Sequence, residues 1–338
     1  VLHASAERIV VNGNPIDDPT VLHVYEWTPA GWSALTTGTG VNTAVADDTN
    51  TVLRSAVLDE PGGRWRLPSG HVLASNAERP LVRPNVRLSP PTADRPTTAV
   101  LLPHDHDGSP LPVLLDPYGG PHAQRVVHSH QAFCASQWFA DQGFAVVVID
   151  GRGTPGRGTV HERAVLHDLA SGVLDDQIDG LHAAAERHPE IDLGRVAIRG
   201  WSFGGYLAAL AVLDRPDVFH AAIAGAPVTE WRLYDTHYTE RYLGDPDGQP
   251  DVYDASSLLP RAHELTRPLL LIHGLADDNV VAAHSLQLSS ALLAAGRPHE
   301  VLPLAGVTHM TPQENVAENL LLHQLDFLRR SLADASAN

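Results

Sequence analysis

The chain has 338 residues, of which 43% are hydrophobic, so it is long enough for two domains with sizeable cores. Its formal net charge is -17, and because lysine is absent, all 23 basic residues are arginine. A surface this acidic repels phosphate groups and anionic lipid, which argues against nucleic acid and membrane surfaces as partners. A single cysteine, Cys134, excludes an internal disulfide.

Residues 1–75 contain short segments that we interpret as strands, separated by turn sequences such as NGNP, GTG and DEPGG. The segments are ERIVV, VLHVYEW, WSALT, TNTVLRSAVL and WRLPSGHVLAS. Strands of this length and spacing, with tryptophans at Trp27, Trp32 and Trp65, are typical of a β-propeller blade or a small meander. One or two blades cannot bury both of their faces, so we expect the C-terminal part of a truncated β-propeller. The first residue is Val1 and not methionine, which agrees with a longer gene product.

The segment 76–96 is rich in proline and arginine, and we interpret it as a connector into a second domain, residues 97–338. After it, near-continuous apolar runs of strand length alternate with helical patterns. The runs are TTAVLLP, LPVLLDP, FAVVVID, GRVAIRG, HAAIAGAP, RPLLLIHG and HEVLPLA, and the helical patterns cover 172–188, 204–213, 282–295 and 313–332. This alternation predicts an α/β fold, with a mostly parallel sheet covered by helices on both faces.

The stretch GWSFGG at residues 200–205 lies between an apolar run and a helical pattern. Its G-x-S-x-G spacing in this context predicts the nucleophile elbow of the α/β-hydrolase fold. Gly200 and Gly204 avoid a collision where strand meets helix, and Ser202 is expected on a strained turn. The Phe203 amide, at the helix N-terminus, is predicted to donate to an oxyanion. Ser202 is the candidate nucleophile, the alternative being a structural serine.

A serine nucleophile needs a base, and the base needs a carboxylate that orients it. LLLIHGLADDNVV places two acids, Asp277 and Asp278, in the loop after a predicted strand, and the spacing alone leaves the choice open. His309 follows the last predicted strand and precedes the C-terminal helix, which distinguishes it among 20 histidines. The order serine, acid, histidine along the chain is that of α/β hydrolases.

DPYGGPHAQ, residues 116–124, follows another predicted strand. Its glycines allow the backbone to approach a substrate closely. The Tyr118 hydroxyl is predicted to donate to the oxyanion from the side opposite the Phe203 amide. The alternative is a packed tyrosine in a turn that ends the strand.

Several ordered motifs resemble the catalytic domain of the prolyl oligopeptidase family, most nearly its dipeptidyl peptidase IV branch. The motifs are YGGPHAQ, DGRGTPGRG, GWSFGGY, APVTEWRLYDTHYTERYLG and HGLADDNV, within about residues 97–332. The resemblance implies that Asp277 completes a catalytic triad with Ser202 and His309. It also implies that Tyr118 supplies half of the oxyanion hole, and that the N-terminal region is the end of the family's propeller.

The resemblance further implies a small apolar pocket for a proline ring. At the matching positions, its walls are Val228, Trp231, Tyr234, Tyr238, Phe203 and Val280. Asn279 is expected to hydrogen-bond a substrate carbonyl. Rigid aromatic faces suit a flat apolar ring at little entropic cost, and the alternative is that these aromatic residues belong to the core.

Two positions depart from the family pattern. Phe203 stands where this branch often has tyrosine, and Met310 stands where many members have glycine. The acidic pair that binds the substrate's free amino terminus in the family lies in a part of the propeller outside this sequence. Exopeptidase action is therefore implied by the resemblance alone.

We predict a serine peptidase that hydrolyses peptide bonds after proline or alanine in short peptides through an acyl-enzyme, in the first place a dipeptidyl peptidase. A carboxylesterase or acylaminoacyl-peptidase with the same triad is the alternative, followed by an inactive scaffold. Peptides are the expected partners, a homodimer stays open, and no cofactor or metal is expected. Without a secretory pattern or a long apolar run, the cytoplasm is the default location and no membrane association is expected.

Four polar segments receive structural interpretations. The histidines of HDHD (104–107) and HSH (128–130) lack a longer framework of metal ligands. Asp150 and Arg152, in DGRG, are expected to form a buried pair that shapes the site. The acidic run LDDQ at 174–177 is interpreted as a solvated helix face.

Overall fold

The computed structural model describes residues 1–89, 92, 95–311 and 313–333, and the strands within them form three sheets. The strands are β1 (His3–Ala4), β2 (Ile9–Gly13), β3 (His23–Thr28), β4 (Gly31–Ala34), β5 (Val41–Ala46), β6 (Thr51–Ala56), β7 (Arg64–Arg66), β8 (Val72–Leu73), β9 (Val86–Ser89), β10 (Thr97–Leu101), β11 (Leu111–Leu115), β12 (Ala145–Asp150), β13 (Ile191–Trp201), β14 (Ala221–Gly225), β15 (Leu269–Gly274) and β16 (Glu300–Leu304).

The α-helices are α1 (Cys134–Asp141), α2 (Thr159–Glu162), α3 (Ser171–Ala185), α4 (Phe203–Asp214), α5 (Thr236–Leu243), α6 (Pro250–Ser256), α7 (Ala283–Ala294) and α8 (Glu314–Ala333). Short 3₁₀ turns cover His130–Phe133, Arg163–Val165, Trp231–Leu233 and Leu259–Glu264. The four helical patterns of the sequence correspond to α3, α4, α7 and α8, with ends that differ by one to three residues, as helix ends commonly do.

The largest sheet has eight strands in the order β16-β15-β14-β13-β11-β12-β10-β9. Strands β11 to β16 run parallel, whereas β10 pairs antiparallel with β12 and with β9. The α/β prediction is confirmed, with a mixed sheet consistent with an α/β-hydrolase domain. Every residue of β12 and β15 is buried, which explains their continuous apolar sequence. Strand β9 lies inside the predicted connector, where proline and arginine hide the strand signal.

Alternate residues of each strand point to opposite faces of this sheet, and helices cover both faces. Val113 and Leu115 pack in one core cluster with side chains from α3 and α4. Leu114 lies in the other cluster, with Phe139 of α1 and Phe327 of α8. Helix α4 is buried from its first residue to Leu213, so its sequence is apolar on all sides.

The N-terminal region forms two four-stranded antiparallel sheets, β1-β2-β3-β4 and β5-β6-β7-β8. They meet through a bridge between Leu22 and Val41 and a small cluster of buried apolar residues. The members of that cluster are Val10, Val24, Ala44 and Leu53. Strand β5 was not predicted, because its sequence VNTAVA does not alternate between apolar and polar residues; its buried side chains are Asn42 and Ala44. Two sheets of this kind do not by themselves establish a propeller.

None of the helices in the described part of the chain is long and apolar enough to span a membrane. Over the same residues, no group of three or more histidine, cysteine, aspartate or glutamate side chains is arranged to hold a metal ion. His104 instead contacts the Arg83 carbonyl oxygen, and His130 contacts the carbonyl oxygens of Leu58 and Val82.

Candidate active site

Ser202 occupies the turn between the end of β13 and the start of α4. Its φ of 60° and ψ of -117° lie in a region that non-glycine residues rarely adopt, so the strained turn is confirmed. The Ser202 amide donates to the Gly225 carbonyl oxygen at 2.8 Å, and its own carbonyl accepts from the Tyr206 amide at 2.9 Å. A side chain on Gly200 would collide with the backbone of Gly204, as the elbow motif requires.

Asp277 and His309 are hydrogen-bonded to each other, with 2.8 Å between Oδ2 and Nδ1. The Asp277 side chain is fully buried, and its Oδ1 accepts from the amides of Asn279 and Val280 at 3.0 and 2.9 Å. Asp278 is exposed, and His309 contacts its neighbour Asp277 instead. Because Nδ1 is engaged by the carboxylate, Nε2 is the nitrogen left to act as a base.

The loop of His309 is tied to the elbow by Trp201, whose indole Nε1 donates to the His309 carbonyl oxygen at 2.7 Å. Among the described residues, no hydrogen bond joins Ser202 Oγ to the His309 ring. Such bonds often tighten only when substrate binds. The structure therefore brings the acid and the base into contact and holds the base's backbone beside the nucleophile's strand.

His273, which our sequence analysis missed, braces the acid from the end of β15. Its Nε2 lies 2.7 Å from the Val280 carbonyl oxygen and 3.6 Å from Asp277 Oδ2, and its Nδ1 lies 2.7 Å from Ser285 Oγ. Burial lowers the pKa of His273 and keeps the ring neutral. Since a carbonyl only accepts, Nε2 carries the proton. A histidine closing the apolar run LLLIHG is the signal that could have found it.

The two predicted oxyanion donors lie on neighbouring elements. Phe203 is the first residue of α4, so its amide is one of those without an intrahelical partner. The Tyr118 ring lies 5.9 Å from the Phe203 ring, centroid to centroid. Burial, reinforced by Tyr234 and Tyr242, raises the pKa of Tyr118 to about 12. Its hydroxyl therefore keeps its proton and can donate.

The predicted pocket residues form one aromatic cluster. The Trp231 and Tyr238 rings are stacked, with centroids 6.0 Å apart and planes 6° apart. Tyr234 packs edge-on to Tyr238 at 5.4 Å, and Phe203 lies 5.9 Å from Trp231. The Tyr234 hydroxyl donates to Asn279 Oδ1 at 3.4 Å, which links this cluster to the loop of the acid.

Val228, Val280, Trp231 and Tyr238 are buried, whereas Tyr234 is half-buried and Asn279 is exposed. Burial raises the pKa of Tyr238, so its hydroxyl stays protonated. Within the described chain, the Tyr238 hydroxyl is buried without a hydrogen-bond partner. A donor left unpaired in this way is available to a polar group that enters the cluster.

The predicted pair between Asp150 and Arg152 is wrong. Arg152 binds Asp176 instead, with 2.7 Å between Nη2 and Oδ1. Asp150 accepts the backbone amides of Arg125 and Val126, at 2.9 and 2.6 Å. Burial raises the pKa of Asp150 to about 6, against the effect of these amides. The loop that contains Arg125 and Val126 folds over the end of β12, so its backbone amides donate to the Asp150 carboxylate.

The interpretation of residues 174–177 as a solvated face is also wrong in part. Asp175 is exposed, but Asp176 pairs with Arg152, and the side chains of Leu174 and Gln177 are buried. A contact with a distant loop decides this arrangement, and the local sequence does not reveal it.

Comparison with known proteins identifies the family to which the chain belongs. A profile of the prolyl oligopeptidase family matches residues 131–335. Human dipeptidyl peptidase 8 is 41% identical over 244 residues, which are 70% of this chain and 27% of that protein. Pig dipeptidyl peptidase 4 is 32% identical over 234 residues, 68% of this chain and 30% of that protein.

The crystal structure of Porphyromonas gingivalis dipeptidyl peptidase 4 aligns with a TM-score of 0.85 at 26% sequence identity. The alignment covers 98% of this chain and 49% of the other. This chain thus spans less than a third of these two curated relatives and about half of the solved one. Since the family profile covers more than half of the chain, the protein belongs to the prolyl oligopeptidase family.

Proposed function

We propose that this protein is a dipeptidyl peptidase, a serine peptidase that releases dipeptides by cleaving after proline or alanine. The observation that carries the proposal is the 2.8 Å hydrogen bond between buried Asp277 and His309, beside a serine on a strained elbow. This arrangement fits nucleophilic acyl transfer and disfavours an inactive scaffold. The names of the relatives add the dipeptidyl specificity to the proposal.

In the proposed reaction, Ser202 Oγ attacks the scissile carbonyl carbon while His309 Nε2 takes the hydroxyl proton. Asp277 holds the imidazole and stabilises its charged form. The Tyr118 hydroxyl and the Phe203 amide donate to the oxyanion of the tetrahedral intermediate. When the C–N bond breaks, His309 gives its proton to the leaving amine, and a dipeptidyl ester stays on Ser202. His309 then takes a proton from a water molecule that attacks the ester carbonyl carbon, and returns it to Ser202 Oγ when the ester C–O bond breaks and the dipeptide leaves.

The aromatic cluster supports the preference for a small, flat residue before the cleaved bond. Trp231, Tyr234 and Tyr238 present rigid faces next to Phe203, and Val228 and Val280 complete an apolar wall. A proline ring buried among such faces loses little conformational entropy. Asn279, held by Tyr234, is proposed to donate its amide to a substrate carbonyl.

We also propose that residues 1–75 belong to a β-propeller, joined through 76–96 to the catalytic domain at 97–338. The two antiparallel sheets and the similarity over 98% of the chain support this division. Recognition of the substrate's free amine, which an exopeptidase needs, is assigned to the propeller.

The test compares three substrates with the full-length protein: Ala-Pro-p-nitroanilide, its N-acetylated form and a p-nitrophenyl ester. Cleavage of the free-amine peptide over the acetylated one is expected. Equal cleavage of both would make the enzyme an endopeptidase or acylpeptidase, and turnover of the ester alone would make it a carboxylesterase. Ser202→Ala should abolish all turnover, whereas Ser33→Ala, at an exposed serine of β4, should not.

A further inference from the structure

The loop of residues 116–126, here called the oxyanion loop, carries Tyr118 and leaves the end of β11. Its inner side is fixed against α4. A Cβ on Gly120 would collide with the Phe203 ring, so the backbone passes directly over that ring. This close approach fixes the distance between the oxyanion loop and α4, but it does not fix the lateral position of the tip of the loop.

The base of the oxyanion loop is fixed by two buried carboxylates. Asp116 accepts from Arg125 Nη2 at 3.0 Å and from Arg199 Nη1 at 3.1 Å. Asp150 accepts the amides of Arg125 and Val126. Both carboxylates act where the loop leaves and rejoins the sheet, and Gln124 Nε2 donates to the Pro19 carbonyl oxygen at 2.7 Å, so none of these contacts ties the tip to α5.

His122 lies at the tip of the oxyanion loop and reaches across to α5. Its Nε2 is 3.0 Å from the Tyr242 hydroxyl oxygen. Its ring lies 4.9 Å from the Tyr238 ring and 6.0 Å from the Tyr242 ring, centroid to centroid. One side chain therefore contacts a pocket wall and a hydroxyl one helical turn further along.

The backbone of His122 has a φ of 77°, which is uncommon for a residue other than glycine. A strained backbone persists only where the surrounding contacts fix it, and such positions cluster at functional sites. Here the left-handed conformation is what directs a ring-sized side chain from the loop onto α5. Gly119, with a φ of 75°, already supplies a left-handed residue for the turn. The turn alone therefore does not account for the left-handed backbone of His122.

The surroundings of His122 favour the neutral form of its ring. Partial burial, followed by the positive charge of Arg241, lowers the pKa of His122, although Asp235 and Glu162 act in the opposite direction and His237 adds to the lowering. A neutral imidazole has one donor and one acceptor nitrogen, and either can pair with a tyrosine hydroxyl. The contact with Tyr242 therefore does not require a charged form.

We propose that His122 is a positioning residue that ties the tip of the oxyanion loop to helix α5 and thereby fixes the Tyr118 hydroxyl relative to Ser202. The inference rests on the proposed function, because it gives Tyr118 the role of oxyanion donor. Through the contact of His122 with α5, the group that stabilises the oxyanion and the helix that walls the substrate pocket move as one unit.

The link is broken in two independent ways. His122→Asn keeps a residue that tolerates a left-handed backbone but is too short to reach Tyr242. Tyr242→Phe keeps both rings and removes only the hydroxyl. His167→Asn is the matched control, because His167 is also exposed and left-handed, at a φ of 63°. Among the described residues the His167 ring has no hydrogen-bond partner, and only its backbone amide contacts Tyr242, at 2.8 Å.

With Ala-Pro-p-nitroanilide and the full-length protein, His122→Asn should lower kcat about tenfold and change KM less than about twofold. The loss of an interaction that is made only in the transition state lowers kcat and leaves KM nearly unchanged. Tyr242→Phe should lower kcat by a smaller factor in the same direction, and His167→Asn should leave it unchanged. Equal kcat in His122→Asn and the wild type would overturn the proposal.

The decisive measurement repeats His122→Asn in a Tyr118→Phe background. If His122 acts through the Tyr118 hydroxyl, its effect on kcat should shrink to less than about twofold once that hydroxyl is gone. A merely structural histidine would cost the same factor in both backgrounds and would refute the proposal. If the wild type cleaves a p-nitrophenyl ester but no peptide, the proposed function fails, and the same four-variant cycle on ester kcat still decides the role of His122.

Discussion

The carboxyl edge of the eight-stranded sheet and the N-terminal sheets differ in how their strands are buried. Strands β12 and β15 are buried at every residue, whereas all four residues of β4 are exposed and β3 has a single buried residue, Val24. Strands covered on both faces form a rigid frame, and the loops at their ends can hold side chains within small tolerances. Substitutions of the catalytic side chains at this edge should therefore change catalysis, and those in the N-terminal sheets should change stability.

Asp277→Asn should have the largest effect at the carboxyl edge. An asparagine can no longer fix the tautomer of His309 or stabilise its charged form, and in a serine triad such a change lowers kcat by about 10⁴-fold. The measurement is kcat for Ala-Pro-p-nitroanilide, with unfolding in urea followed in parallel.

Asp278→Asn, at the exposed neighbour, is the matched control and should leave kcat within about twofold of the wild type. If instead Asp278→Asn abolished turnover and Asp277→Asn did not, the assignment of the acid would be wrong, despite the contact between Asp277 and His309.

Tyr118→Phe should come next. Loss of one oxyanion donor costs about 10²- to 10³-fold in kcat, while KM changes little because the donor acts on the transition state. Tyr25→Phe, on β3 of the N-terminal sheets, should leave kcat unchanged. A Tyr118→Phe enzyme that lost affinity but kept its kcat would show that this tyrosine binds substrate and does not stabilise the oxyanion.

The frame of the large sheet was predictable because burial on both faces leaves a strong sequence signal. All seven apolar runs became strands β10 to β16, and the G-x-S-x-G turn became the strained elbow at Ser202. Strand β5 was missed because a half-buried strand accepts polar residues and so lacks a continuous apolar run. Strand β9 was missed because proline and arginine flank it. Weakly patterned strands are found only through the partners with which they pair.

Contacts between distant segments were the part that the sequence could not supply. Asp150 was predicted to pair with Arg152, two residues away, yet each finds a different partner 24 to 25 residues along the chain. His273 and His122 were missed for the same reason, since one braces a loop and the other crosses to α5. Charge and spacing identify residues that can interact, whereas the path of the loop decides which ones do.

Leu53→Ala tests the prediction that substitutions in the N-terminal sheets change stability and not catalysis. Leu53 is fully buried in the small cluster of the N-terminal sheets. Truncating a buried leucine costs about 2 to 5 kcal/mol, and we expect a value near 3 because the half-buried walls can partly relax. Urea unfolding should report this loss, while kcat stays unchanged. A fall in kcat under conditions where the protein is folded would show that these sheets help to shape the active site.

Asp150→Asn should give the smallest effect, and its signature is a dependence on pH. The pKa of Asp150 is raised from 3.8 to about 6 by burial, so between pH 4 and 6 the folded protein holds a proton that the unfolded chain has released. Stability from this group is therefore greatest at low pH and is lost as pH rises through 6. A shift of two units limits the change to about 3 kcal/mol, and we expect about 1 to 2 kcal/mol.

The measurement is the free energy of unfolding of wild type and Asp150→Asn at intervals from pH 4 to 7. The advantage of the wild type over the variant should decline across this range. Asp116→Asn is the matched control. Burial alone would raise the pKa of Asp116, but Arg125, Arg199 and Ser136 outweigh it and lower the pKa. The contribution of Asp116 is therefore constant above pH 4 and is lost only in stronger acid. Parallel profiles for the two variants would mean that Asp150 is ionised throughout and that the loop, not burial, governs its carboxylate.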